Sequence, residues 1–164
     1  MNKYLIFLIS FLIVSCAQQE IHDTTGFLDV KRQDLSKYWT GKIMPSGTYP
    51  RSLSNAMQNA CVFTKYSINS NGEVVNPQIL SSIPKVKNDV ISYSMRSFKR
   101  SKFKPSIEND NLIPVNTYHV FTFTVFEDHV SIDEAKIISA NLKNQCENVL
   151  TNIVTGKSTT PSAS

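Results

Sequence analysis

From Cys61 to Ile68 the chain alternates apolar and polar residues, the period-two pattern of a β-strand. Val62, Tyr66 and Ile68 fall on one face; Cys61, Phe63, Lys65 and Ser67 fall on the other. Asn71-Gly72 tolerates the positive φ angles of a tight hairpin, so Val74 to Leu80 is expected to return antiparallel. Pro77 has no N–H for a ladder bond, which makes the return strand an edge or gives it a bulge. Upstream, Tyr49-Pro50 opens a short helix with Leu53 and Met57 on its buried stripe. Downstream, Lys85 to Arg100 has helical spacing. Val90, Ile91, Met95 and Phe98 form its apolar stripe, and Ser94, Ser97 and Ser101 are small enough for close approach to a sheet. Pro105 ends that region, and Glu108 to Asn111 reads as a polar turn. Val115 to Phe126, rich in β-branched and aromatic residues, is the strongest strand signal. Val115, His119, Phe121, Phe123 and Val125 share one face, with Tyr118, Val120, Phe126 and threonines on the other. A last helix is expected from Ile132 to Val154, capped by Ser131 with Glu134 three residues on. Its stripe is Ile138, Leu142, Val149, Leu150 and Ile153.

The two ends are patterned differently. Lys3 precedes an almost wholly apolar run, Tyr4 to Val14, too short to cross ~30 Å of hydrocarbon and of signal-peptide length. It leads into Ile13-Val14-Ser15-Cys16, a small-residue cleavage site ending in cysteine. These residues resemble the lipobox of bacterial lipoproteins. The resemblance implies loss of residues 1–15 and acylation of Cys16, including palmitate. With Ala17 rather than aspartate next, it also implies the periplasmic side of the outer membrane rather than the inner membrane. An ordinary signal peptide with a coincidental cysteine is the alternative. Residues 16–47 are polar and weakly patterned and read as a lipidated tether, with room for a short helix around Asp34 to Trp39. Residues 155–164 are small and polar and are expected to be a disordered tail.

The chain beyond the signal is long enough for one domain, and a composition of 41% hydrophobic and 18% charged residues excludes chain-long disorder or collagen. The net charge of +4 leans weakly toward anionic lipid or cell wall. An envelope location removes nucleic acid from consideration, along with ATP and NADH, so no cofactor and no enzymatic role are expected. His22, His119 and His129 make no metal-ligand spacing with cysteine or carboxylate, and His119 reads as a packed or surface histidine. Ser81-Ser82 lacks a nucleophile-elbow context. Arg96, Lys99, Arg100, Lys102 and Lys104 read first as a solvated face and second as a grip on phosphate or cell-wall carboxylates. With Cys16 assigned to lipid, Cys61 and Cys146 remain. An oxidising compartment favours their pairing, and two buried thiols are the alternative.

The order helix, hairpin, helix, strand from Tyr49 to Phe126 resembles the carboxy-terminal domain of TonB-family proteins. The matching residues are Tyr49-Pro50, the alternation Val62, Tyr66, Ile68, the hairpin Asn71-Gly72-Glu73-Val74, Ser81-Ser82 with Pro84, and Phe103-Lys104-Pro105. The resemblance implies an α+β fold: a TonB-C-like domain over 48–127, with an extra C-terminal helix over 128–154 packed on the sheet. Ser101 stands where the family often has tryptophan and Ala60 where it usually has glycine. The transmembrane helix and proline-rich spacer of the energy transducers are not found, so the fold and a peptide-binding tendency carry over but energy transduction does not. The implied recognition edge is Thr117, Tyr118, His119, Val120, Phe121, Thr122, Phe123 and Thr124, adding an extended peptide of an outer-membrane transporter or other envelope protein as a strand. In the family the helices cover the Val62 face. Laying the extra helix over Phe63 on the other face would bring Cys146 to Cys61. The competing function is a structural envelope lipoprotein touching peptidoglycan or an assembly through its basic face, with a hydrolase a distant third.

Overall fold

The computed structural model describes residues 21–156; the signal segment, the lipidation candidate Cys16 and the tail beyond residue 156 lie outside the described residues. The expected order is the observed one. Helix α1 (Arg51–Ala56) precedes the antiparallel hairpin of β3 (Ala60–Ile68) and β4 (Val74–Ile83). Helix α2 (Asn88–Lys99), strand β6 (Val115–Phe123) and the long helix α3 (Ile132–Thr155) complete it. The hairpin turns at Gly72, with φ 75°, where any Cβ would collide with the Phe103 carbonyl oxygen; dihedral and space both demand glycine. Strand β4 is an edge strand and steps out of register between the Lys65–Gln78 and Ser67–Val75 pairs. Asn76 sits in that step at φ 48°, so Pro77 lies in a bulge where no ladder donor is needed.

Layers form on both faces of the sheet. Val62, Tyr66 and Ile68 of β3 and Val115, Phe121 and Phe123 of β6 face α1 and α2, meeting Leu53, Val90 and Phe98. Ser94 and Ser97 are fully buried and return their hydroxyl protons to the carbonyls of Val90 and Tyr93, which lets α2 pack close without an unpaired group. Met57 does not share the stripe of α1. It occupies the left-handed C-cap and is 54% exposed. On the opposite face Cys61, Phe63 and Val120 are covered by α3 through Leu142, Cys146, Val149, Leu150 and Ile153. Helix α3 opens on a full capping box between Ser131 and Glu134. Its first turns extend past the sheet, and Ile138 is exposed instead of joining the stripe. Cys61 and Cys146 meet under α3 with Cα atoms 5.8 Å apart, within disulfide reach.

The segment read as a tether over 16–47 is, in its described part, a piece of the domain. The His22 N–H donates to the Asn76 side chain at 3.1 Å, which anchors the chain beside β4. It then crosses the end of the sheet, and β1 (Leu28–Asp29) pairs in parallel with the start of β6. The sheet order is therefore β1-β6-β3-β4. A 3-10 helix (Arg32–Lys37) leads to β2 (Trp39–Thr40), which pairs antiparallel with β5 (Lys104–Pro105). Trp39 is 2% exposed, and its indole N–H donates to the Ile113 carbonyl at 2.8 Å. The Ser106 N–H and the Asn109 side-chain amide both donate to the Tyr38 carbonyl. Two-residue strands and a six-residue 3-10 helix have too little repeat for a periodicity argument to find.

This packing sets two expected outcomes. Trp39→Ala should cost about 3–5 kcal/mol in urea unfolding monitored by circular dichroism, the range for emptying a large aromatic site; a tether residue would cost nothing. Replacing Cys61 and Cys146 by serine should lower stability by up to roughly 4–5 kcal/mol in the chain-entropy model, given their separation of 85 residues. The oxidised chain should resist thiol alkylation at both positions.

Candidate functional site

The recognition edge expected from the sequence falls on β6, and its neighbours decide which of its groups are available. The Leu28 and Val30 N–H groups donate to the carbonyls of Pro114 and Asn116, so the backbone of Asn116 points away from β3, toward β1. Backbone direction alternates along a strand. Tyr118, Val120 and Thr122 therefore turn their N–H and C=O groups outward, while Thr117, His119, Phe121 and Phe123 turn theirs to β3. The Val125 N–H, of the same parity, donates inward to the Asn59 side chain at 2.8 Å, which agrees with this phase. Strand β1 occupies only the Val115–Asn116 end of this edge. Beyond it, among the described residues, the outward groups of Tyr118, Val120 and Thr122 have no backbone or side-chain hydrogen-bond partner. Helix α3 covers the face of β6 and leaves this edge open.

The expected edge of eight residues thus contracts. His119, Phe121 and Phe123 offer side chains to the α2 side but no edge backbone, Thr117 offers neither, and Thr124 lies past the strand end. Thr117 falls on the α2 face, fully buried, with its hydroxyl unpaired among the described residues. Two depressions flank the edge, one on each face. On the α3 side a groove of about 720 Å³ is floored by Tyr118 and walled by residues 29–33 and the last turns of α3. The Arg32 guanidinium pairs with the Glu147 carboxylate across it. On the α2 side a depression of about 150 Å³ is lined by Ile43, Tyr49, Tyr93, His119 and Phe121. Neither feature is visible in the sequence, because each joins segments far apart in the chain.

His119 lies edge-on to Phe121 at 4.6 Å and to Phe98 at 6.3 Å between ring centres. Burial, then the charges of Arg32 and Lys143, draw its pKa down to about 3. It is a packed neutral imidazole, the bland reading of the sequence. Tyr49 on the same face is pushed up to about 12, chiefly by burial. Among the described residues no group of histidines, cysteines and carboxylates is placed to hold a metal, and no helix is long and apolar enough to cross a membrane. Arg96, Lys99, Arg100, Lys102 and Lys104 lie at the end of α2 and just after it, and all five are exposed. Of the five, Lys102 alone approaches a carboxylate among the described residues, Glu73, at 3.8 Å.

No protein-family model matches the chain. No curated protein matches it in sequence either. Among solved structures it is similar to the solution NMR structure of the Pseudomonas aeruginosa TonB CTD, at 17% identity and a TM-score of 0.49, over 61% of this chain and 97% of that one.

His119 should leave a signature in acid. An unfolded histidine titrates near 6.5, far above the folded value of about 3. Between these values the unfolded chain binds a proton that the native chain refuses, so stability falls as pH drops below 6.5. The slope approaches ~1.4 kcal/mol per pH unit at most. His119→Gln should flatten this limb between about pH 6.5 and 5, above the range where carboxylates titrate. An unchanged slope in denaturation midpoints would show that His119 is not kept neutral.

Proposed function

We propose that this chain is a lipid-anchored, non-enzymatic binding module of the bacterial envelope. It is held at the periplasmic side of the outer membrane through Cys16 and binds an extended peptide of an envelope or transport protein by adding it as a strand to β6. The observation that carries the reading is the row of outward backbone groups at Tyr118, Val120 and Thr122, left unpaired beside an edge whose first residues are already taken by β1. An unpaired strand edge is a template for another extended chain.

The docking of residues 22–40 sharpens this reading. Five residues lie between Cys16 and His22, and the six steps from one to the other, fully extended, reach only about 20 Å. The module therefore sits against the membrane it is anchored to, and its partner must present its peptide at that surface. The second reading, a structural lipoprotein contacting peptidoglycan, draws on the basic cluster Arg96, Lys99, Arg100, Lys102 and Lys104.

The test is site-directed photo-crosslinking in intact cells, with the photoreactive residue at Thr122 or at Lys99. Strand addition gives a protein adduct at Thr122 and none at Lys99. Cell-wall fragments at Lys99 with Thr122 silent would move the function to the basic face. Mass spectrometry of the mature amino terminus should find an acylated Cys16, and an unmodified start elsewhere would remove the membrane argument.

A further inference from the structure

The groove beside Tyr118 is larger than strand addition alone requires. Its volume, about 720 Å³, lies within the range of built ligand sites, about 300–1,000 Å³. Val30, Tyr118, Leu150 and Val154 make its apolar lining. Its charges are balanced: Asp29 and Lys31 lie at the rim, and Arg32 is already paired with Glu147. A charged occupant would find Arg32 and Glu147 already matched to each other and no net opposite charge in the lining to offset its lost hydration. An apolar occupant meets apolar walls.

Geometry connects this groove to the edge. On a strand paired outside β6, the residue opposite Tyr118 carries its side chain on the face of Tyr118. That is the α3 face, so the side chain enters the groove. The neighbouring residues point the other way, toward the depression of about 150 Å³ at Ile43, Tyr93 and Phe121. We propose that the groove between residues 29–33 and α3 is the specificity site of this module, taking bulky apolar side chains at alternate positions of an added strand, with small residues on the opposite face. The inference rests on the strand-addition reading and adds the sequence class of the partner: an extended segment with one bulky apolar face.

The probes are an alternating leucine–serine peptide with lysine ends and its alanine–serine counterpart, titrated against the full mature chain in detergent micelles, with empty micelles as the blank. The variant is Val154→Arg, at a groove residue 43% exposed, so that the fold survives; an unchanged circular-dichroism melt checks this. The leucine peptide should bind about tenfold or more tighter than the alanine peptide. Val154→Arg should abolish that advantage and leave the alanine peptide unchanged. Amide exchange separates the two readings. If both peptides protect Tyr118, Val120 and Thr122 equally and Val154→Arg has no effect, strand addition stands and the groove proposal falls. If neither peptide protects those amides, both fall. If deleting residues 157–164 shifts the Tyr118 amide while the two peptides bind alike, the chain's own tail is the occupant and the proposal is overturned.

Discussion

Strand β3 is buried along both faces: every residue from Ala60 to Ile68 except Lys65 is buried. An antiparallel hairpin packed on helices usually leaves one face to water. Here Phe63 and Cys61 on the second face are buried, as Val62 and Tyr66 are on the first, so a second covering layer is obligatory. Helix α3 supplies that layer with its C-terminal half, and the Cys61–Cys146 pair holds the helix to the strand it covers. Because β6 lies beside β3, it inherits cover on both faces. What remains to β6 for contact with another molecule is its outer backbone edge and the side chains that flank it.

Long periodic elements were readable without a structure because each carries its own repeat. The alternation at 61–68, the serines of α2 and the capping box at Ser131 and Glu134 all did in the fold what their spacing implied. Pro77 was informative for a chemical reason, since a missing donor can be tolerated only at an edge or a bulge, and it has both. The short helix expected around Asp34 to Trp39 overlaps the 3-10 helix Arg32–Lys37, but the tether reading of the N-terminal segment failed because its contacts are aperiodic and distant. His22 meets Asn76, Leu28 meets Val115, and Trp39 meets Ile113. One sequence signal was present all the same: the single tryptophan of the chain, with Val30, Leu35 and Tyr38 close before it, is a large apolar load for a solvated tether to carry.

The candidate site was readable as a strand and not as an edge. Which residues of β6 face outward depends on how β3 and β1 pair with it, and that phase is set by registers with residues 60–68 and 28–29. Without those partners, all eight residues from Thr117 to Thr124 were equivalent. The groove was hidden for a similar reason. Its walls belong to residues 29–33, assigned to the tether, and to the last turns of α3, whose placement depends on Cys146. For His119 the packed reading holds, since an isolated histidine on an apolar strand face has no partner with which to do chemistry.

The length of the open edge bears on how binding can work at all. From Tyr118 to Phe123 the strand offers about 20 Å at 3.3–3.4 Å per residue. Three residues face outward, each with one donor and one acceptor, so an added peptide makes at most about six backbone bonds. At a net ~1 kcal/mol each they contribute about 6 kcal/mol. Association costs an estimated 4–15 kcal/mol in lost translational and rotational freedom, before the peptide itself is ordered. Backbone pairing on so short an edge therefore comes close to cancelling against the cost of association. A useful affinity has to come from side chains on the two flanking faces. Of these, the α2 side has room for little, and the α3 side has a groove several times larger. The helix that β3 needs for burial thus also builds the wall on which discrimination between peptides would depend.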